Sequence, residues 1–368
     1  MTKKKVGILT LPINNNYGGI IQLVALYNFI ESNDFEAIWI DKRHPENIIK
    51  IFLKRIIEIN PFYKIYDPKN FKTIKLLSKQ LQPFLNEYLK KKTQTSYTSE
   101  SLNKITNDID SFIVGSDQVW RFEYIKSNYP TYFLDFVPNG KKKIAYAASF
   151  GKDYWEGDKK TILKIKPLIK KFDLVTTREE TGLIICQEYF NFNTAVHVLD
   201  PSFLQDVSFY KDIINNINFS NKVELFNYVL DSSKKSEIIV DEISNHLNLK
   251  VNKIYLNYNS KKFENLLENW LAHFYYSDFV VTDSFHGMVF SIIFNKQFIV
   301  IGNQSRGLTR FYSLLELLDL KNRIINIDQF TLKSVNILNE KIDFSKVNKK
   351  LETQKEISKS TLLNALKN

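Results

Sequence analysis

Two apolar runs stand almost back to back in this chain. Phe279-Val280-Val281-Thr282 is short and β-branched, so it reads as a buried strand. Met288 to Phe294 is apolar all round and reads as a buried helix, with strand as the alternative for so short a run. Only Asp283-Ser284-Phe285-His286-Gly287 separates them. In open α/β sheets, ligands bind outside the carboxyl ends of the strands, and helix N-termini there favour anions. A polar cluster with a histidine and a glycine at such a turn is poor material for a core and good material for a site.

The same rhythm recurs along the chain. Val6 to Leu11 is a strand candidate, the loop Asn14-Asn15-Asn16-Tyr17-Gly18-Gly19 follows, and Ile20 to Ile30 has a helical apolar spacing. Strand, glycine turn, helix is the opening unit of a doubly wound fold. The adjacent glycines either let a ligand approach the backbone or make a tight turn. Further strands are expected at Ala37 to Asp41, Ser111 to Gly115, Lys143 to Ser149, Leu174 to Thr177 and Val196 to Leu199. From Pro45 to Asp108, charged helical stretches alternate with Pro61, Pro68 and Pro83, which reads as a helical insertion over a cleft. The second half has strand candidates at Val223 to Leu230, Val251 to Leu256, Phe279 to Thr282 and Gln297 to Ile301. Helices are expected at Glu237 to Leu247, Phe263 to Tyr275 and Thr309 to Leu318. The tail, Asp343 to Leu366, carries Phe344, Val347, Leu351, Leu362 and Leu366 as the apolar positions of a long helix.

A length of 368 residues suggests two domains. The expected division is 1–203, with the insertion at about 45–108, then 204–335, then a return helix over 336–368. Asp200 to Ser208 is the expected hinge. The single Cys186 excludes an intrachain disulfide framework and a thiolate metal cluster. No apolar run approaches a membrane span. The basic start ends in Pro12-Ile13-Asn14-Asn15-Asn16 and reads as a first strand, not a signal peptide, so the protein is expected in the cytoplasm.

The net charge of +11 comes from a chain rich in Lys throughout, and no recognition helix or aromatic RNA-binding signature accompanies it. No nucleic-acid partner is expected. Arginine is rarer: Arg43, Arg55, Arg121, Arg178, Arg306, Arg310 and Arg323. Where Lys is used so freely, a retained Arg suggests a need for the planar fork that grips carboxylate or phosphate.

Six polar turns stand at expected strand ends. They are the Gly18 loop, Gly115-Ser116-Asp117-Gln118, Ser149-Phe150-Gly151, Thr177-Arg178-Glu179, Asp283 to Gly287, and the Gly302 to Arg310 loop. Two facing α/β domains would bring such ends to one cleft. With Asn16-Tyr17-Gly18, Gly115 to Trp120, Ala148 to Gly151, Leu199-Asp200-Pro201-Ser202 and Arg306-Gly307 through Arg310, the set in this order resembles the polysaccharide pyruvyl transferase family over nearly the whole chain. The resemblance implies an α/β, GT-B-like fold: two Rossmann-like domains facing a cleft, with a C-terminal helix crossing back to the first. It also implies a transferase that moves the enolpyruvyl carbons of phosphoenolpyruvate onto two hydroxyls of a sugar in a capsule or exopolysaccharide precursor, releasing phosphate. The alternatives are a GT-B nucleotide-sugar glycosyltransferase and a non-catalytic protein that binds an anionic glycan.

That chemistry asks for cationic donors around the anion and an acid/base group of near-neutral pKa. His286 is the expected catalytic residue. Arg178, Ser284, Arg306 and Arg310 are the expected donor-binding set, with the donor site in the second domain. Some family members carry an arginine two residues before the histidine, where this chain has Ser284. Asn16, Gly18, Ser116, Asp117, Gln118, Ser149 and Asp283 are expected to line the cleft or meet the acceptor, a sugar or lipid-linked glycan that could bring the protein to a membrane surface. Neither a metal nor a cofactor is expected. Other roles stay open: a structural turn histidine at His286, an ion pair with Glu179 or Glu180 for Arg178, and an N-cap for Asp117. Trp120 and Trp155 are read as core residues, and His44, His197, His246 and His273 as surface or packing residues.

Overall fold

The computed structural model describes residues 2–13, 16–43, 71–219, 222–253, 266–303 and 307–368, and of 71–78 the backbone alone. Arg306, His44, residues 45–70 of the expected insertion, 254–256 of an expected strand and 263–265 of an expected helix lie outside the described residues.

Two parallel sheets form the framework. The first joins β1 (Lys5–Leu9), β2 (Glu36–Ile40), β3 (Ser111–Val114), β4 (Lys142–Ala148), β5 (Leu174–Thr177) and β6 (Val196–His197) in the order β2-β1-β3-β4-β5-β6. The second joins β7 (Val223–Tyr228), β8 (Val251–Lys253), β9 (Ser277–Thr282), β10 (Gln297–Gly302) and β11 (Ile324–Asn326) in the order β11-β10-β9-β7-β8. Every residue of β3 is buried, which is why it is written as a continuous apolar run and not as an alternating one. The helix Phe285–Ile293 is likewise buried on all sides, as its sequence demands. The sequence reading lacked β11, a three-residue edge strand too short to carry a pattern.

The strand orders locate the site. In the first sheet the order reverses between β1 and β3, so the turns after these strands diverge to leave a crevice. In the second sheet the reversal lies between β7 and β9. The turn after β1 carries Asn16 and Gly18, and the turn after β3 carries Ser116 and Asp117. The turn after β9 carries Asp283 to His286. The two crevices face each other, because a methyl group built on Gly18 would fall 2.1 Å from the ring of His286.

The largest hydrophobic cluster runs through both domains. It includes Val6 and Ile8 of the first sheet, Phe226 and Val280 of the second, and Leu23, Trp270 and Phe290 from helices between them. An apolar interface of this kind restrains large relative motion of the two halves. Within the expected insertion, helix Phe71–Tyr88 packs on helix Leu266–Tyr276 of the second half, with Leu81, Phe84 and Leu85 buried.

The terminal helix, Phe344–Lys367, buries Val347, Leu351, Lys355, Ser358, Leu362 and Leu366, a stripe at steps of three and four. Just before its start, Gln297 of β10 exchanges two hydrogen bonds with the backbone of Ile342. Its end meets the first domain, where Lys142 Nζ donates to the carbonyls of Ala365 (2.9 Å) and Leu366 (3.3 Å). A cation on the last carbonyls also complements the helix dipole. The helix therefore crosses back from the second domain to the first.

Candidate active site

His286 sits in the first turn of helix Phe285–Ile293, capped by the Ser284 hydroxyl, which accepts the Gly287 N–H at 3.4 Å. Gly287 is fixed by packing, since a Cβ there would lie 2.2 Å from Thr282 Oγ1. Opposite, the imidazole lies against the bare backbone of Gly18 in the first turn of helix Tyr17–Glu31. Thus Gly18 is needed to admit a side chain from the other domain. Gly19 serves a second approach: a Cβ there would lie 2.7 Å from Asn16 Nδ2 and 3.2 Å from Asp117 Oδ2.

Asn16 caps its helix through the Gly19 N–H (3.1 Å) and donates to Asp117 Oδ2 at 2.8 Å. Asp117 adopts φ +69°, a left-handed conformation that Asp tolerates better than most residues and that concentrates at functional sites. It is not an N-cap; the next helix, Phe122–Ile125, begins after Arg121. Asp117 instead faces Arg178, whose Nη2 donates to Oδ1 at 3.2 Å.

Arg178 is wholly enclosed. Its Nη1 donates to Asp200 Oδ2 at 2.9 Å, Glu179 Oε2 stands 3.7 Å from its Nε, and its guanidinium stacks on Phe285 at 4.4 Å. The side chain has no exposed surface; Nη1 and Nη2 meet carboxylates, and Nε has no hydrogen-bond partner among the described residues. The sequence reading placed it in the donor-binding set, with an ion pair to Glu179 or Glu180 as the alternative; in the structure it pairs with Asp117 and Asp200. Asp200 Oδ2 also accepts the Ser116 hydroxyl at 3.1 Å and lies 3.7 Å from His286 Nε2. Asp200 carried no assigned role in the sequence reading beyond the hinge. Its signal was the Asp-Pro-Ser turn, where Oδ1 accepts the Ser202 N–H at 3.0 Å.

Arg310, in the first turn of helix Thr309–Leu317, is 7% exposed and lies over the rings of Phe311 (5.4 Å) and Phe285 (5.8 Å). No described residue accepts a hydrogen bond from its Nε. The other expected residues bond within the protein. Asp283 accepts the backbone N–H groups of Leu230 (2.7 Å) and Asp231 (2.9 Å), tying the turn after β7 to the turn after β9. Gln118 Oε1 accepts from Arg121 at 3.0 Å, and Ser149 Oγ accepts the Gly151 N–H at 3.1 Å. Trp120 stacks on Phe133 at 4.9 Å and Trp155 packs on Phe190 at 5.1 Å, both within the aromatic core. His197, His246 and His273 bond to Arg178 O, Asn339 Oδ1 and Asn269 O.

The electrostatics follow from enclosure. Burial depresses the His286 pKa; Asp200 and Asp117 oppose that, while Arg178 and Arg310 add to it. Burial raises Asp117, yet Arg178, a charged His286 and Arg310 outweigh it and hold the carboxyl below its ordinary range. Asp200 is held low in the same way, against burial, by His286, Arg178 and the Ser202 N–H. Arg310 is lowered to about 10 by burial and by Arg178, which leaves it a cation at neutral pH. Burial lifts the Cys186 thiol to about 12, so it is no thiolate nucleophile. Among the described residues, no group of three His, Cys, Asp or Glu side chains is placed to hold a metal ion.

This arrangement can bind an anion at Arg310 beside an imidazole able to move a proton. The fold is similar to that of a Listeria monocytogenes protein described as a UDP-N-acetylglucosamine 2-epimerase (TM-score 0.53, 12% identity, covering 96% of this chain and 91% of that one). A Rickettsia bellii UDP-N-acetylglucosamine 2-epimerase is similar too (TM-score 0.51, 10% identity, 99% of this chain and 96% of that one). Likeness at such identity speaks to the GT-B-like fold alone. No curated protein matches the sequence. The family model for polysaccharide pyruvyl transferase matches residues 16–305, a span that contains β3 to β10, Asp117, Arg178, Asp200 and His286. The chain belongs to the polysaccharide pyruvyl transferase family.

Proposed function

We propose that this transferase takes its pyruvyl group from phosphoenolpyruvate and builds a ketal on two hydroxyls of a sugar in a capsule or exopolysaccharide precursor, in the cytoplasm. The observation that carries the donor assignment is Arg310, a buried cation with an unpaired Nε beside His286. Asp117, Asp200 and Glu179 against Arg178 and Arg310 leave no surplus of positive charge around a neutral imidazole. A trianionic donor therefore needs a further cation, and we assign that to Arg306.

The chemistry balances with one proton carrier. The first hydroxyl oxygen adds to carbon two of the donor while a proton reaches carbon three, making the methyl group. The carbon–oxygen bond to phosphate breaks, and the second hydroxyl closes on carbon two. One hydroxyl proton ends on the methyl carbon, and the other leaves with phosphate. His286, neutral before the donor binds, can accept a proton from the first hydroxyl and return it. No described helix is long and apolar enough to cross a membrane, so a lipid-linked acceptor would be met at the membrane surface.

Thermal unfolding tests the donor. Phosphoenolpyruvate should raise the midpoint, since a ligand that binds only the native state stabilises it. Arg310→Gln should weaken donor binding about 10- to 100-fold, the worth of a hydrogen bond to a charged group. An unshifted midpoint for the parent, or full donor affinity in the variant, would remove the assignment. A cavity of about 440 Å³ at the carboxyl ends of β7 and β8, lined by Asn227, Ser232, Glu237 and Lys253, favours nucleotide-sugar transfer as the second reading. Stabilisation by a nucleotide sugar and not by phosphoenolpyruvate would select it.

Gly18→Ala supplies a separate test of the His286 pocket. The new methyl group must displace the imidazole, and a misplacement near 1 Å can cost ~10²-fold in turnover. Turnover close to that of the parent would show that the ring position does not matter.

A further inference from the structure

We propose that Asp200 is the positioning residue of His286, a carboxylate that accepts a hydrogen bond from the Nε2–H of the imidazole across the domain interface and leaves Nδ1 as the basic nitrogen. This inference rests on the reading of His286 as the acid–base group of pyruvyl transfer.

Three observations carry it. First, His286 Nε2 is shut off from solvent and has no hydrogen-bond partner among the described residues. A buried imidazole nitrogen without a partner is costly, and Asp200 Oδ2 at 3.7 Å is the carboxylate that faces it. Second, Asp200 is itself immobile. Oδ1 is held by the Ser202 N–H, and Oδ2 by Ser116 and Arg178 Nη1. These bonds fix the carboxylate, and the Ser116 hydroxyl, which can rotate away, is the donor that His286 Nε2–H would replace at Oδ2. Third, the pair spans the two domains, Asp200 following β6 and His286 following β9. A hydrogen bond needs the atoms roughly 0.7 Å closer. An approach that small is within reach of an apolar interface that resists larger motion.

The consequence is a histidine whose basic nitrogen is completed by domain approach. Around the imidazole stand Asp200 and Asp117, which favour its protonated form, and Arg178 and Arg310, which disfavour it. Nδ1, beside Gly18, is then the atom that meets a hydroxyl. Asp200 sets the tautomer and supports the imidazolium once the proton has moved, without itself touching substrate.

Nitrogen NMR of the intact protein tests the pairing, with the His286 signals assigned by their loss in His286→Asn. The expected tautomer has its proton on Nε2 and a bare Nδ1; a proton on Nδ1 overturns the proposal. In Asp200→Asn, the His286 titration should move to lower pH, because a carboxylate that raised it is gone. Turnover should fall about 10²-fold with donor KM little changed, within the range that acid–base groups contribute. An unmoved titration with turnover within a few-fold of the parent also overturns it. If Asp200→Asn does not fold, the tautomer in the unaltered protein decides. Tautomer and titration need no substrate, so they hold whether or not phosphoenolpyruvate proves to be the donor.

Discussion

Replacing His286 by alanine or asparagine should leave a folded, donor-binding protein whose turnover is lower by ~10²–10⁴-fold, the usual contribution of a positioned acid/base group. Folding should survive because the ring is held by packing against Gly18 and makes no hydrogen bond that other described residues require. Ketal formation and phosphate release under saturating donor are the measurements, and turnover within a few-fold of the parent would return His286 to a structural role. The pH dependence has a definite sign. Burial lowers the His286 pKa, so the imidazole stays neutral below the ordinary histidine value, and the acidic limb of kcat/KM should lie below pH ~6.5. Stability follows the same direction. The unfolded chain takes up a proton on this histidine more readily than the folded one, so stability present above pH ~6.5 is lost as pH falls through the folded value. His286→Asn should remove that part of the acid sensitivity.

Much of the fold was legible because parallel strands buried on both faces must be written as continuous apolar runs. β3, β5 and β9 lie within or close to the runs Ser111 to Gly115, Leu174 to Thr177 and Phe279 to Thr282. Their ends were legible because Ser116-Asp117, Arg178-Glu179 and Asp283-Ser284 are polar breaks that no buried strand would contain. The partners across space were not legible. Gly18 looked like a turn or a ligand approach, and its reason is a histidine from the other domain. Asp283 read as a cleft residue, and nothing in its neighbours announced that it also secures the backbone of Leu230 and Asp231. Asp200 looked like a hinge because its sequence neighbours are Pro201 and Ser202, whereas its chemistry depends on Ser116, Arg178 and His286. A residue type and a turn can announce that a polar group matters. They do not say whether its bonds go to a ligand or to the protein itself.

Arg178 is the residue for which that distinction has the largest energetic consequence. Arg178→Met should destabilise the protein by ~3–5 kcal/mol, the cost of removing one partner from a buried ion pair and leaving uncompensated charge. Three carboxylates, Asp117, Asp200 and Glu179, share this guanidinium in a region without solvent. In the parent, Asp117 and Asp200 are held below the ordinary carboxylate range, so their stabilising contribution is present above that range and lost as pH falls through their folded values. Without the arginine, the burial that raises both is opposed by one cation fewer, so both should rise toward the ordinary range. The difference between parent and variant should then be greatest near pH 7 and shrink toward pH 4, where protonated carboxyls no longer need a cation. Adding Asp200→Asn to Arg178→Met should recover part of the loss, because neighbours in one network do not act additively. Arg178→Lys should lie between, since an ammonium cannot reach Asp117 and Asp200 in the planar fork. Denaturant unfolding of the four proteins at neutral and acid pH provides the measurement. A loss below about 1 kcal/mol that does not vary with pH would show that the carboxylates find other partners. Donor KM is the second discriminant: a KM that rises for Arg178→Lys while stability is unchanged would move this arginine out of the scaffold and back to the ligand.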